Sequence, residues 1–408
     1  MSSLDRKLDA ALKSREQRLI RRRLPDPSAD EGLVDFSTND YLSLSLSALH
    51  PRLRGSRLLV NGHAHAALEA RLARFFNAPA ALLFNSGFDA NVGFFSSVPQ
   101  PGDALVFDEH IHASVHDGMR ASRVITRVTF THNSTVALRN VLSHLLHAHP
   151  GLRSGENSAF VAVEALYSMD GTLAPLVEIV EAVEELFPLG NGYVVVDEAH
   201  STGVYGPQGR GLVAQLGLED RVFARLHTFG KALAATGAVM LTTPLVRDYL
   251  LNYARSLIYT TSLGYANIIA ADCSFDLLED GTAEKLSAEL LDLCAYFLET
   301  LRQSLHTHAI PNTLLSLAIN LASPSAQPTP IIPIMTPHPR PLSTHLRARG
   351  LNARPITWPT VPKGADRVRV CLHAGNRRED VDRLVSGMVE WAQAWTANEN
   401  SIVLQSKL

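Results

Sequence analysis

Apolar residues in this chain fall into two alternating patterns. Short aliphatic and β-branched runs occur at residues 81–84, 104–107, 124–130, 160–163, 193–196, 222–227 and 238–241. Runs of that length and composition read as strands buried on both faces. Between some of them, at 69–76, 136–147 and 176–187, apolar positions recur at helical spacing. The alternation predicts an α/β architecture, a mostly parallel seven-stranded sheet covered by helices. Upstream, Leu4, Leu8, Ala11, Leu12, Leu19 and Ile20 mark one face of a helix over 4–23, stopped by Pro25 and Pro27. Downstream, a helical stretch spans 245–305. Residues 322–341 are rich in Pro and Ser, with a strand-like run at 331–335 despite Pro333, and 345–395 mix helix, strand and helix. The implied organisation is an N-terminal arm (1–35), a large domain (36–265), a helical connection (266–305), a small α+β domain (306–397) and an irregular tail (398–408).

Composition narrows the class. A chain of 408 residues exceeds one typical domain, and 46% hydrophobic residues supply a large core. The net charge of -3 argues against a nucleic-acid surface. Three widely spaced cysteines, Cys273, Cys294 and Cys371, read as reduced intracellular thiols. No apolar run reaches the roughly 18 residues of a membrane span, and residues 1–13 lack the apolar core of a secretory signal. The seventeen histidines are scattered and suggest no metal site. Ser406-Lys407-Leu408 at the C-terminus reads as a peroxisomal address, with the import receptor as partner.

Two segments carry chemistry. Val194-Val195-Val196-Asp197-Glu198-Ala199-His200 and His227-Thr228-Phe229-Gly230-Lys231 are strand-like runs ending in polar residues, as strands do where they deliver groups to a ligand crevice. An aspartate there can keep a heteroaromatic nitrogen protonated, and a lysine can form an imine with an aldehyde. Together they suit pyridoxal 5'-phosphate (PLP), which withdraws electrons from an amino acid's Cα.

These segments belong to an ordered set with Asn39-Asp40-Tyr41-Leu42, Ser86-Gly87-Phe88, His112-Ala113-Ser114, Ser168-Met169-Asp170-Gly171 and Ile258-Tyr259-Thr260-Thr261-Ser262. The set resembles the α-oxoamine synthases, PLP enzymes of fold type I, from about Arg21 to Trp391. The resemblance implies a decarboxylative condensation of an amino acid with an acyl-CoA, L-alanine and pimeloyl-CoA in the best-matching case. It leaves open a sibling synthase with other substrates, an aminotransferase, or a catalytically silent partner subunit. It assigns Lys231 the imine and the Cα proton, Asp197 the ring nitrogen, His200 the phenolic oxygen, and His112 the ring face and the substrate carboxylate. Gly87, Phe88 and Thr228 would hold the phosphate, and Glu164 and Ser168 would lie near the cofactor edge. Thr261 would reach the phosphate of a neighbouring subunit, implying a homodimer with shared active sites. Arg354 and Thr360 would meet the substrate, with Arg21 at the distal end of the acyl chain, although Arg21-Arg22-Arg23 equally fits a basic helix end. Two departures from the family pattern stand near the site: a short 43–54 segment before a glycine-poor turn (Gly55 to Gly62), and Ile356-Thr357-Trp358 lengthening the loop after Arg354.

Overall fold

The computed structural model describes residues 2–24, 62–318 and 327–405. The Asn39-Asp40-Tyr41-Leu42 motif, the short 43–54 segment, most of the glycine-poor turn and Ser406-Lys407-Leu408 lie outside the described residues. The chain divides into two compact units.

The first unit comprises residues up to Leu166 and Leu173–Glu284. It opens with α1 (Ser3–Gln17). A reciprocal Ser2/Asp5 capping box starts this helix, and Leu4, Leu8 and Leu12 bury its apolar stripe. Each such leucine contributes roughly 1.5–3 kcal/mol of transfer free energy. The helix stops earlier than its periodicity predicts, because Leu19 takes a left-handed backbone (φ 56°). There follow α2 (His63–Phe75), β1 (Ala80–Phe84), α3 (Gly87–Ser97), β2 (Ala104–Asp108), α4 (Ala113–Ala121), β3 (Thr126–Phe130), α5 (Thr135–Ala148) and α6 (Pro150–Arg153). Next come β4 (Ala159–Glu164), α7 (Leu176–Leu186), β5 (Gly192–Asp197), α8 (Leu212–Gln215), β6 (Ala224–Thr228) and β7 (Ala238–Thr242). The seven strands form one sheet in the order β1-β7-β6-β5-β4-β2-β3. All pairings from β3 to β6 are parallel; β7 alone is reversed, antiparallel to both β6 and β1.

The predicted continuous helical stretch over 245–305 is instead α9 (Pro244–Tyr253), α10 (Arg255–Ile258), α11 (Tyr265–Glu279) and α12 (Thr282–Thr307). Gly281, at φ 85°, separates the last two, and the boundary between units falls after Glu284. The expected 266–305 connection is therefore divided, α11 packing in the first unit and nearly all of α12 in the second.

The second unit comprises Lys285–Leu408 and the short segment Tyr167–Thr172. It adds β8 (Ser316–Leu317), β9 (Ile331–Met335), α13 (Pro339–Ala348), β10 (Arg354–Ile356), β11 (Arg367–Cys371) and α14 (Arg378–Gln405). The strands form an antiparallel sheet, β10-β11-β9-β8. Phe297 and Leu301 of α12, Ile332 and Ile334 of β9, and Val368 of β11 share one core. Tyr167–Thr172 is tied to this sheet: Arg367 Nη1 reaches Asp170 Oδ1 at 2.6 Å, and Thr329 Oγ1 donates to the Gly171 carbonyl at 2.9 Å. The tail expected to be irregular from 398 continues α14 as helix through Gln405.

Candidate active site

Parallel strands deliver their last residues to one edge of the first unit's sheet. Glu164 ends β4 directly opposite Asp197 at the end of β5, and Thr228 ends β6. Asp197 is buried, and both its oxygens are committed. Oδ1 accepts the Ala199 N–H at 2.9 Å, and Oδ2 accepts from Asn91 Nδ2 at 2.8 Å. These bonds fix the plane of the carboxyl group. Glu198, next in the chain, turns away from this edge. It is fully buried and accepts the Leu212 and Val213 N–H groups at 2.9 and 2.8 Å, along with the Ser201 hydroxyl, so it caps α8. Burial pushes its carboxyl above the usual range despite those bonds. His200 sits half-buried on the turn that Glu198 anchors.

The N-terminus of α3 forms a cradle beside Thr228. Ser86 caps it, its Oγ accepting the Asp89 N–H at 3.1 Å, which leaves the Gly87 and Phe88 N–H groups at the helix start for an anion. A Cβ on Gly87 would come closer to Thr228 Cγ2 than the 3.0 Å that real Cβ atoms respect. Thr228 Oγ1 is buried and has no protein hydrogen-bond partner.

Lys231 lies exposed in the return from β6 to β7. That loop is clasped by Phe229 N to Gly237 O at 2.9 Å and Ala235 N to Phe229 O at 2.8 Å, with Phe229 fully buried beneath it. His112 is the N-cap of α4; its Nδ1 accepts the Ser114 N–H at 3.2 Å and lies 2.7 Å from Ser114 Oγ. Asn91 was not singled out from sequence, and Ser114 stood there only within the His112-Ala113-Ser114 motif, without a role. Asn91 falls one helical turn after Gly87, on the face of the helix with Gly87, and its position there was the available signal.

The other predicted residues lie elsewhere. Thr260 and Thr261 are held beside the cradle by Asn85, whose Nδ2 reaches Thr260 Oγ1 at 3.1 Å and the Thr261 carbonyl at 2.6 Å within the same chain. Arg21 is engaged by Glu16 and Asp248 at 3.4 and 3.3 Å. Ser168, Arg354 and Thr360 belong to the second unit. There Arg354 stands opposite Arg369 in the β10–β11 register, so both project from one face of that sheet, and Arg369 Nη1 donates to the Ser168 carbonyl at 3.0 Å. Arg369 went unnoticed in sequence, although Arg367-Val368-Arg369 alternates as a strand. The histidines are less scattered than they read. Asp108, His110 and His132 bring ligand atoms within 4.8 Å of one another. His110 and His132 are stacked, 23° from parallel, so both rings cannot aim a nitrogen at one ion, and Asp108 is already accepting from His132 Nδ1, His110 N and Asn133 N. Burial opposes the Asp108 charge, but these bonds outweigh it and hold the carboxyl below its usual range.

PLP fits the first-unit cluster. Its phosphate needs donors and a close backbone approach, which the unpartnered Thr228 hydroxyl and the Cβ-free Gly87 provide. Its ring nitrogen needs a fixed buried carboxylate, which Asp197 provides. The sequence matches the Aminotransferase class I and II family over residues 31–388. The chain is 48% identical to an 8-amino-7-oxononanoate synthase of Emericella nidulans, over 95% of each chain. It belongs to that aminotransferase family, in its α-oxoamine synthase branch. An Aminoacyl transferase sphA of Aspergillus fumigatus is 40% identical over 88% of this chain and 81% of its own length. Among solved structures, 8-amino-7-oxononanoate synthase from Francisella tularensis matches at TM-score 0.64 and 25% identity, covering 90% of this chain and all of that one. A serine palmitoyltransferase from S. paucimobilis shares the fold at TM-score 0.73 and 23% identity, covering 95% of this chain and 97% of that one. In this family of α-oxoamine synthases the cofactor is PLP, the group the Asp197, Thr228 and Gly87 geometry accommodates.

Proposed function

We propose that this α-oxoamine synthase condenses L-alanine with pimeloyl-CoA, releasing CO₂ and coenzyme A and forming 8-amino-7-oxononanoate, a step of biotin biosynthesis. The observation that carries the reading is the 48% identity to a named 8-amino-7-oxononanoate synthase over 95% of both chains. PLP, when bound, supplies the electron sink for carbanion formation and decarboxylation. The protein's residues supply the rest. Lys231 holds the cofactor aldehyde, then removes the alanine Cα proton and returns one to the same carbon at the end. Asp197, held in place by Asn91 and the Ala199 N–H, pairs with the ring nitrogen. His112 covers the ring face and donates to the substrate carboxylate, which orients the bond to be broken. Thr228 and the start of α3 hold the phosphate, with His200 at the phenolic oxygen. Arg354 and Arg369, paired across their strands, form a cationic pair suited to a substrate carboxylate. The working unit is a homodimer in which Thr261 serves the neighbouring site. The Ser406-Lys407-Leu408 terminus directs the chain to peroxisomes, where chain-shortened dicarboxylyl thioesters arise.

A second reading, a synthase for another amino acid or acyl-CoA, is favoured by the 40% identity to the aminoacyl transferase. Thiol release separates the two. Purified holoenzyme is given L-alanine, glycine or L-serine with pimeloyl-CoA or a long monocarboxylyl-CoA. Turnover confined to alanine with pimeloyl-CoA supports the first reading. Turnover only with another pair establishes the second. No turnover with any pair refutes the first reading.

A further inference from the structure

We infer that Asn91 and Ser114 are positioning residues that hold the His112 ring as the Nε2–H tautomer and join it to Asp197 through one hydrogen-bond chain. Asn91 Nδ2 carries two N–H groups. One donates to Asp197 Oδ2 at 2.8 Å and the other to Ser114 Oγ at 2.9 Å. A flipped Asn91 amide would press its carbonyl oxygen against the Asp197 carboxylate, so the orientation is fixed by charge. Because Ser114 Oγ accepts from Asn91, its own proton is free to go to His112 Nδ1, 2.7 Å away. The Ser114 backbone N–H points at the same ring nitrogen from 3.2 Å. Two donors converging on Nδ1 require it to be the acceptor, and in a neutral imidazole that places the proton on Nε2. Asn91 and Ser114 are 2% and 0% exposed, so water does not compete for the Asn91 bonds to Asp197 and Ser114. Neither residue reaches the exposed side of His112; they act through it.

The consequence is directional. Nε2–H is a donor in the plane of the ring, toward a group at the ring edge, which suits a carboxylate. The ring can take a further proton only at Nδ1, where it would displace the two Ser114 donors. One anchoring residue, Asn91, thereby orients both the carboxylate for the ring nitrogen and the imidazole for the ring face. The ligand consequence rests on the function proposed above; the tautomer does not.

The test is ¹⁵N–¹H correlation of the ring nitrogens in histidine-labelled full-length protein without substrate. His112→Gln assigns the signals. The wild type is expected to show an unprotonated Nδ1 and a protonated Nε2. Ser114→Thr, which keeps the hydroxyl, is expected to preserve that pattern. Ser114→Ala and Asn91→Leu are expected to mix the tautomers, and Asn91→Leu, which loses the bond to Asp197, to weaken PLP binding roughly tenfold or more, the scale of one lost bond to a charged group. Should Asn91→Leu fail to fold, Ser114→Ala carries the test alone. A wild-type Nδ1–H ring, or a His112 pattern unchanged in folded Ser114→Ala, overturns the inference. Since no substrate is present, neither result depends on which amino acid or thioester the enzyme uses.

Discussion

Replacing Gly87 with alanine probes the phosphate cradle directly. The added methyl meets one obstacle, Thr228 Cγ2, inside 3.0 Å; the next atoms, Leu226 Cδ2 and Thr228 Cβ, stand at 3.6 and 3.7 Å, ordinary contact. Thr228 ends a buried strand and cannot swing away freely, so the overlap costs about 1–3 kcal/mol of folding free energy, as overpacking does. The same methyl occupies space beside the phosphate donors and lowers PLP affinity. Thr228→Ser removes the offending Cγ2 and keeps the hydroxyl. Alone it costs about 1 kcal/mol, the scale of one buried methyl. In combination, Gly87→Ala and Thr228→Ser are expected to be more stable than the sum of the single effects by about 1 kcal/mol or more. Chemical denaturation of the four apoproteins measures this coupling, and absorbance titration with PLP gives the affinities. Additive single effects, or a Gly87→Ala protein as stable as wild type, would refute the cradle geometry.

Other outcomes follow from the same structure. Lys231→Ala is expected to retain the fold by circular dichroism and to lose roughly 10²–10⁴-fold in thiol release; near-normal turnover would remove Lys231 from the proton transfer. Glu69 is buried, accepting the Leu83 N–H at 2.9 Å and Arg247 at 3.0 Å, so Glu69→Ala should destabilise by about 2–3 kcal/mol in urea melts. His227 is fully buried against Phe76, and burial, then the Arg225 charge, hold its pKa well below 6.5. The unfolded ring takes up a proton near 6.5 that the folded ring refuses. Its contribution is therefore complete above pH 6.5 and lost as pH falls below it, at up to about 1.4 kcal/mol per pH unit. Relative to His227→Gln, wild type should lose about 1.4 kcal/mol between pH 7.5 and 5.5, and parallel stability curves would contradict this.

The strands of the first unit were its most legible level, because most are short runs of aliphatic and β-branched residues with no helical period; β3, with Arg127 and Thr129 exposed, is not the strand covered on both faces that its run suggested. Their order was partly legible: the seven runs were visible, but the reversal of β7 was not, since a buried strand looks alike in either direction. Helix boundaries in 245–305 failed for a different reason. Extended backbone at Ala254 and the 259–264 segment interrupt the helical spacing, and the positive φ of Gly281 separates α11 from α12. At the site, residues that end strands were easy to find, as Asp197 and Thr228 show. The roles of Asn91 and Ser114 escaped because their importance lies in spatial convergence on Asp197 and His112, which no local spacing encodes. The metal-like group at Asp108 escaped for the same reason, joining positions from two different strand ends.

The excursion of Tyr167–Thr172 has a bearing on modularity. Those residues are covalently framed by β4 and α7 of the first unit, yet they fold with the second, held by Arg367, Arg369 and Thr329. Cutting the gene after Glu284 would strip this hairpin of its anchors, and expressing the remainder alone would leave Arg367 without the Asp170 carboxylate. Neither half is a transplantable cassette, so recombination between related synthases would have to exchange the excursion together with the C-terminal portion to keep both.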